Sequence, residues 1–268
     1  MIHKTAIIDK DAKIEKSVEI GPYTIVGGNV KIGKNTKIGS HSFLENCEIG
    51  ENCKISNSVS IGNEPQDLRF KGNLTKVIIG NNCTIREFTT IHRGSHTDFT
   101  KVGDNCYIMA YSHIAHDCIL GNDVIMANCA TLAGHVTVED SAILGGLVAV
   151  HQFCRIGKLA MIGGGAMVSK DVPPFTIASG DRARLYGINV VGLKRKGFDN
   201  TKIRNIQRAY RLLFESKLIF SDAFQILQDM HNNENLGPEI QHFIDFIKTS
   251  KRGICHPAHK KLKFREID

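Results

Sequence analysis

The stretch HIAHDC, residues 113–118, sets His113 and His116 three positions apart and follows them with Asp117 and Cys118. Three chemistries suit these residue types. An imidazole titrates near neutral pH and can take a proton from a hydroxyl, with a carboxylate or a backbone carbonyl fixing its tautomer. Outward histidines from neighbouring copies of a chain can make a His₃ zinc site, although no companion motif marks a ligand set here. A thiol at Cys118 can serve as a nucleophile. More histidines gather nearby: His92 follows Ile91, His135 lies in LAGHV, and His151 precedes Gln152 in AVHQF. LAGHV also offers the backbone N–H of Gly134 to a developing oxyanion. Which chemistry is open depends on where each side chain points.

A repeat sets those directions. Aliphatic residues recur every sixth position in an unbroken register: Val102, Ile108, Ile114, Leu120, Met126, Leu132, Val138, Leu144, Val150, Ile156, Ile162, Val168. An earlier register runs from Ile2 through Ile8, Ile14, Ile20, Val26, Ile32 and Ile38 to Leu44. The fourth residue after each aliphatic is small or β-branched throughout, for example Cys106, Ser112, Cys118, Val124, Ala130 and Val136. A period of six fits neither a helix nor a plain alternating strand. It fits short strands joined by tight turns, three to a coil of about 18 residues, in a parallel β-helix. Such coils stack at roughly 4.8 Å, with the aliphatic and the small residue both inside.

In that frame Ile114 points in, so His113 points out by alternation, and His116 faces outward from the turn. Cys118 falls in the small inward slot with Cys53, Cys83, Cys106 and Cys154, which makes it a space-filling group and closes the covalent route. An isolated solenoid would leave the two histidines in water, so their chemistry calls for a second wall, most simply another copy of the chain. Two segments, 63–76 (NEPQDLRFKGNLTK) and 93–100 (RGSHTDFT), break the register and read as loops that carry contacts. The pattern stops near KDVPPFT (170–176), where adjacent prolines cannot donate to a ladder. Beyond it, 199–217 places Ile203, Ile206, Tyr210, Leu213 and Phe214 on one helical face behind an Asp199 or Asn200 cap. SDAFQILQDMH reads as a helix with a Ser/Asp cap, and Pro238 opens another that carries Ile240, Phe243, Ile244 and Ile247. The expected division is a β-helix over 1–188 and a helical domain over 189–268.

Composition narrows the setting. The 268 residues carry a net charge of +7, eight cysteines without a CxxC pair, and no Trp. No apolar run approaches the roughly 20 residues that span a bilayer, and the N-terminus lacks an apolar signal core. A reduced, cytoplasmic protein is expected. The positive charge is too diffuse to argue for nucleic acid.

EPQDL, TIHRG, HIAHDC, LAGHV, AVHQF, DVPP and GLKRKGF, in this order, resemble the UDP-N-acetylglucosamine acyltransferases that start lipid A synthesis. The resemblance runs from the first coils through the C-terminal helices. It implies a mainly β fold, a left-handed parallel β-helix of hexapeptide repeats with a C-terminal α-helical domain. It also implies a homotrimer with active sites between subunits. His116 would deprotonate the sugar 3-hydroxyl, which attacks the thioester of a 3-hydroxyacyl-acyl carrier protein without an acyl-enzyme. Asp117 would orient His116, and the Gly134 amide would hold the oxyanion. Asp67, Arg69 and His92 would hold the sugar nucleotide, with His113, His135, His151 and Gln152 lining the pocket. Asn189 and Arg195 would contact the nucleotide, and Gly164 would help set acyl length, leaving room for a longer chain. No metal and no cofactor are expected, since the acyl group travels on the carrier's phosphopantetheine. Basic residues over 194–211 suit the acidic carrier.

This chain departs from the family pattern in four places. Arg69 stands for Lys, Val191 replaces an acidic residue expected near the ribose, Lys196 stands where Arg is common, and the loop after TIHRG is short. Alternatives are the related UDP-sugar N-acyltransferase, which usually carries an extra N-terminal domain, a zinc-dependent hexapeptide-repeat enzyme, and a non-catalytic solenoid scaffold.

Overall fold

Most hexads become a two- or three-residue strand ending on its inward aliphatic residue, and the strands sort into three faces of a prism. In this computed structural model, which describes residues 1–258, the first face begins at Ile7–Ile8, the second at Lys13–Ile14 and the third at Glu19–Ile20. The three sheets have nine, eight and ten strands, and the chain visits them in turn, so every crossover is one coil. Residues 259–268, the end of the expected second domain, lie outside the described residues.

Stacking in strict register makes the core. On the first face Ile91, Ile114, Leu132, Val150 and Val168 lie one above another. All five are buried, as is the whole aliphatic register from Val102 to Val168. Each fully buried Ile or Leu contributes roughly 1.5–3 kcal/mol, which a stack of this length multiplies without needing large aromatics. The first coil departs from the expected inward pattern. Ile2 is 46% exposed and Ile8 and Ile14 are only half-buried, because no coil lies beneath them.

The turns matter for the site. Most turns place one residue in the left-handed region, and on the corner between first and second faces these include Asp117 (φ 60°), His135 (61°) and Phe153 (65°). Asp and His tolerate this conformation better than β-branched residues do. Both inserted loops leave from that same corner. One runs from the first-face strand Ser60–Asn63 to the second-face strand Lys76–Ile79, the other from Thr90–His92 to Phe99–Val102. The second loop is shorter than the sequence reading, since Phe99 and Thr100 already pair with Lys76 and Val77.

The ladder also continues past Pro173-Pro174, contrary to the expected stop. Thr176–Ser179 pairs in parallel with Met161–Ile162, and Arg184–Ile188 then pairs antiparallel to it. Helices α1 (Val190–Arg195), α2 (Asn200–Phe214), α3 (Phe220–Glu234) and α4 (Pro238–Lys248) follow. Asp199 caps α2 by accepting the Lys202 N–H at 2.8 Å. The expected Ser/Asp cap of α3 is corrected: its N-cap is Ile219, no side chain caps it, and Ser221 sits inside the first turn. Arg155 seats α4 against the second face. Its guanidinium donates to Thr249 Oγ1 at 2.9 Å and lies 4.0 Å over the Phe246 ring.

Candidate active site

The register explains why distant residues meet at the first corner. Because Ile114 stacks under Leu132 and Leu132 under Val150, position 116 lies beneath 134 and 152, and position 117 beneath 135 and 153. Gly134 therefore sits directly over the His116 imidazole. A Cβ on Gly134 would fall 2.6 Å from Cε1 and 2.7 Å from Nε2. Among the described residues no acceptor takes the Gly134 N–H, and the same holds for the stacked amides of His116 and Gln152. The free amide belongs to the turn. What is particular to position 134 is the missing side chain, which lets the imidazole lie against the backbone.

Asp117 anchors the ring. His116 Nδ1 lies 2.7 Å from Asp117 Oδ2. The other carboxylate oxygen accepts the backbone N–H of Ser95 at 3.0 Å and of Thr97 at 2.8 Å, and the Thr97 hydroxyl at 2.6 Å. The backbone N–H of Asp117 itself donates to Thr100 Oγ1 at 2.8 Å. Burial alone would raise the Asp117 pKa, but the hydrogen bonds from His116, Thr97 and His96 together hold it well below the carboxylate range. With the carboxylate ionised, the imidazole keeps its proton on Nδ1 and presents the Nε2 lone pair.

The expectation that an isolated solenoid leaves His116 in water is corrected. His116 is 9% exposed and Asp117 5%, because residues 93–98 of the same chain fold over the corner. Asp67, on the longer loop, clamps that cover: it accepts Ser95 Oγ at 3.1 Å and lies 2.8 Å from His96 Nε2. The Arg69 backbone N–H and guanidinium, then Ser95 and His96, hold the Asp67 carboxyl well below its usual range. Arg69 itself is exposed.

The remaining histidines of this corner are packed against one another. His135 Nε2 lies 3.4 Å from Asp117 Oδ2. Its ring is sandwiched between His96 (centroids 5.7 Å) and Phe153 (4.5 Å), with His116 edge-on at 5.2 Å. Burial pushes the His135 pKa down against the opposing pull of Asp117, with smaller lowering contributions from His116, His96 and Arg69. His92 and His113 form an edge-to-face pair at 5.0 Å, and His113 Nδ1 lies 2.7 Å from Thr90 Oγ1. Burial, aided by His113 and His116, drives His92 down to about 4, and His113 is lowered by burial and then by His116. Among the described residues Nδ1 of His92 has no hydrogen-bond partner, although it is buried. His151 and Gln152 stand exposed one coil above.

Three groups that the sequence reading assembled stand elsewhere. Asn189 caps α1 by accepting the Gly192 N–H at 3.0 Å, and its amide donates to Leu159 O at 2.9 Å. Lys196 Nζ pairs with Asp123 at 3.0 Å. Leu159 and Asp123 are turn residues between second and third faces, so α1 with Asn189 and the exposed Arg195 lies on the second corner. Gly164 lies on the third corner, exposed, in the turn after Met161–Ile162. The thiol of Cys118 faces the interior, donates to Ala133 O at 3.2 Å, and is pushed up to about 12 by burial. It is no nucleophile at neutral pH.

Ser95, His96, Thr97 and Phe153 were missed as site residues. The first three lie where the hexad register breaks, so periodicity assigned them no direction. Phe153 could have been found, since it is 18 residues beyond His135 in an unbroken register. As for a metal, His116, Asp117 and His135 bring one ligand atom each within 4.8 Å of one another.

Comparison with known proteins bears on the whole chain. The family model described as Udp N-acetylglucosamine O-acyltransferase, domain 2, matches residues 171–255. That of bacterial transferase hexapeptide repeats matches 99–134, and that of a GMPPB C-terminal domain matches 2–66. An acyl-[acyl-carrier-protein]–UDP-N-acetylglucosamine O-acyltransferase from Alkalilimnicola ehrlichii is 50% identical over 195 residues, 72% of this chain and 74% of that protein. One from Nautilia profundicola is 46% identical over 203 residues, 75% of this chain and 76% of the other. The crystal structure of a UDP-N-acetylglucosamine acyltransferase from Francisella novicida superposes with a TM-score of 0.92 at 41% identity, covering 97% of this chain and 95% of that one.

Proposed function

The chain belongs to the acyl-[acyl-carrier-protein]–UDP-N-acetylglucosamine O-acyltransferase family, and on that premise we propose the reaction that its first corner performs. A (R)-3-hydroxyacyl chain moves from acyl carrier protein to the 3-hydroxyl of UDP-N-acetylglucosamine, the opening step of lipid A synthesis. His116 Nε2 takes the hydroxyl proton as the oxygen attacks the thioester carbonyl. The carbonyl oxygen gains the negative charge and accepts the Gly134 N–H. Collapse expels the phosphopantetheine thiolate, which takes the proton back from the imidazolium. No acyl-enzyme forms and no metal or cofactor is needed.

The observation that carries this reading is the His116–Asp117 pair with the imidazole lying against Gly134, where any Cβ would come within 2.7 Å of Nε2. An ionised carboxylate makes the imidazolium cheaper to form without itself becoming protonated. Asp67, Arg69, His92, His113, His135, His151 and Gln152 would line the acceptor and donor pockets around that pair. Asn189 and Arg195 sit on a different prism edge, which supports a ring of three copies in which the second corner of one faces the first corner of the next. Gly164, on the third corner and without a side chain, would leave room for a longer acyl chain. Among the described residues no helix is long and apolar enough to cross a membrane; a cytoplasmic setting is part of this reading.

The test is product identification. The protein is incubated with UDP-N-acetylglucosamine and a mixture of 3-hydroxyacyl carrier proteins of different chain length, and the sugar nucleotide is weighed by mass spectrometry. A mass gain of one 3-hydroxyacyl group, labile to mild base, is expected. An unchanged sugar nucleotide with every carrier would overturn the reading.

A further inference from the structure

The first corner holds a second arrangement inside the first. Two imidazole nitrogens, Nδ1 of His116 and Nε2 of His135, converge on one oxygen, Oδ2 of Asp117. We infer that His116, Asp117 and His135 also form a binding site for one late first-row divalent metal ion, of which zinc is the type, and that its occupancy switches the base off.

The distances suit such an ion. Zinc binds imidazole nitrogen and carboxylate oxygen at about 2.0–2.2 Å, so two tetrahedral ligands lie about 3.4 Å apart. His135 Nε2 and Asp117 Oδ2 are already 3.4 Å apart. His116 Nδ1 and the same oxygen are 2.7 Å apart, so the ring would have to retreat by less than an ångström as a metal replaces the hydrogen bond. All three ligand atoms fall within 4.8 Å of one another. Two imidazoles and a carboxylate favour zinc, copper, nickel or cobalt over magnesium and calcium, which prefer all-oxygen sites.

The surroundings are those of a held site. The second carboxylate oxygen of Asp117 is fixed by the Ser95 and Thr97 amides and the Thr97 hydroxyl, the kind of outer support that orients a ligand. His135 stacks against both His96 and Phe153, which orders the plane of its ring. Three protein ligands leave a fourth position for water or substrate, the pattern of an open zinc site.

The effect on the reaction follows from the tautomer, and this half of the inference rests on His116 being the base. A metal on Nδ1 uses the lone pair of that nitrogen. The ring proton then resides on Nε2, the neutral imidazole keeps the same number of protons, and Nε2 has no lone pair for the sugar hydroxyl. The ion therefore competes with catalysis by displacing the Nδ1 proton, while the ring regains one proton from water on Nε2, so the imidazole stays neutral and no net proton is lost.

The test uses full-length, untagged protein freed of metal by dialysis against a chelator. It is titrated with Co²⁺ alone and read by the visible absorption of tetrahedral cobalt, then with Zn²⁺ as competitor. One equivalent per chain is expected, and removing a ligand should weaken binding by at least about tenfold. His135→Gln and Asp117→Asn should both do so, with thermal unfolding confirming that each is folded. His113→Gln and His151→Gln, outside the trio, should bind cobalt as the parent does. Unchanged cobalt affinity in folded His135→Gln, or its loss in His113→Gln, would overturn the site. In the same samples Zn²⁺ should reduce turnover in proportion to occupancy, and chelator should restore it. Full turnover at full occupancy would overturn the switch, and the base assignment with it, while the cobalt spectrum still reported on the site.

Discussion

Replacing Gly134 by Ala tests the central geometry without removing any proposed catalytic group. The alanine keeps the backbone N–H, and Gly134 has no positive φ, so the backbone accepts the substitution. The new methyl would stand 2.6 Å from Cε1 and 2.7 Å from Nε2 of His116. Carbon atoms pack at about 3.5 Å or more, so the ring must retreat by about 1 Å. It cannot do so freely, because Nδ1 is tied to Asp117 at 2.7 Å and His135 stands edge-on at 5.2 Å. A displacement of about 1 Å at the reacting centre costs on the order of 10²-fold in rate. That corresponds to about 2.7 kcal/mol of transition-state stabilisation. The assay is kcat/KM with 3-hydroxyacyl carrier protein and UDP-N-acetylglucosamine, beside a thermal melt expected to move only a few degrees. The same substitution in a His116→Ala background should cost almost nothing, since the clashing ring is gone. Near-parent turnover in Gly134→Ala, or an equal fold-loss in both backgrounds, would refute the reasoning.

Further outcomes follow from the same geometry. His116→Ala should lower turnover by on the order of 10²–10⁴-fold while lowering the melting temperature by only a few degrees, since Asp117 keeps its Ser95 and Thr97 donors; activity close to the parent would remove the base assignment. Cys118→Ser should stay substantially active, because a hydroxyl can still donate to Ala133 O, and complete loss with intact folding would revive a covalent route. The His92 pKa is lowered from 6.5 to about 4 in the folded chain. Between those values the unfolded chain takes up a proton that the folded pocket refuses, so stability is complete above the window and falls as pH drops through it. Urea midpoints at about pH 7.5 and about pH 5 should diverge less in His92→Gln than in the parent; equal divergence contradicts the burial argument. Co-assembly of His116→Ala with Arg195→Ala chains should restore activity to about a quarter of the parent's, because random mixing in a ring pairs an intact first corner with an intact second corner once in four. No restoration would place both residues in one protomer's site.

Much of the site was legible because a solenoid converts sequence spacing into space. A separation of 18 residues is one coil, so His116 and Gly134, or Asp117 and His135, could be stacked on paper from the hexads alone. The inward fate of Cys118 was legible for the same reason. The reading failed wherever the period was interrupted. Residues 93–98 carry the donors that hold Asp117 and the cover that shields His116, yet nothing local told which way they fold. The cap of α3 was misplaced because Ser221 and Asp222 are equally at home inside a first helical turn, where acidic groups favour the N-terminus.

By itself the chain of residues determined the prism, its aliphatic column and the corner on which the histidines gather, since side-chain direction in a stacked strand depends only on position within the repeat. The hand of the coil is not written in a period of six and came from the resemblance. Tertiary structure alone decided that both irregular loops leave from that same corner and bury the imidazole within its own protomer. It also decided that Asn189 and Arg195 stand on another edge. Those placements depend on hydrogen bonds between segments without common periodicity, Asp67 to His96 and Asn189 to Leu159 among them, and no spacing rule reaches across such a break.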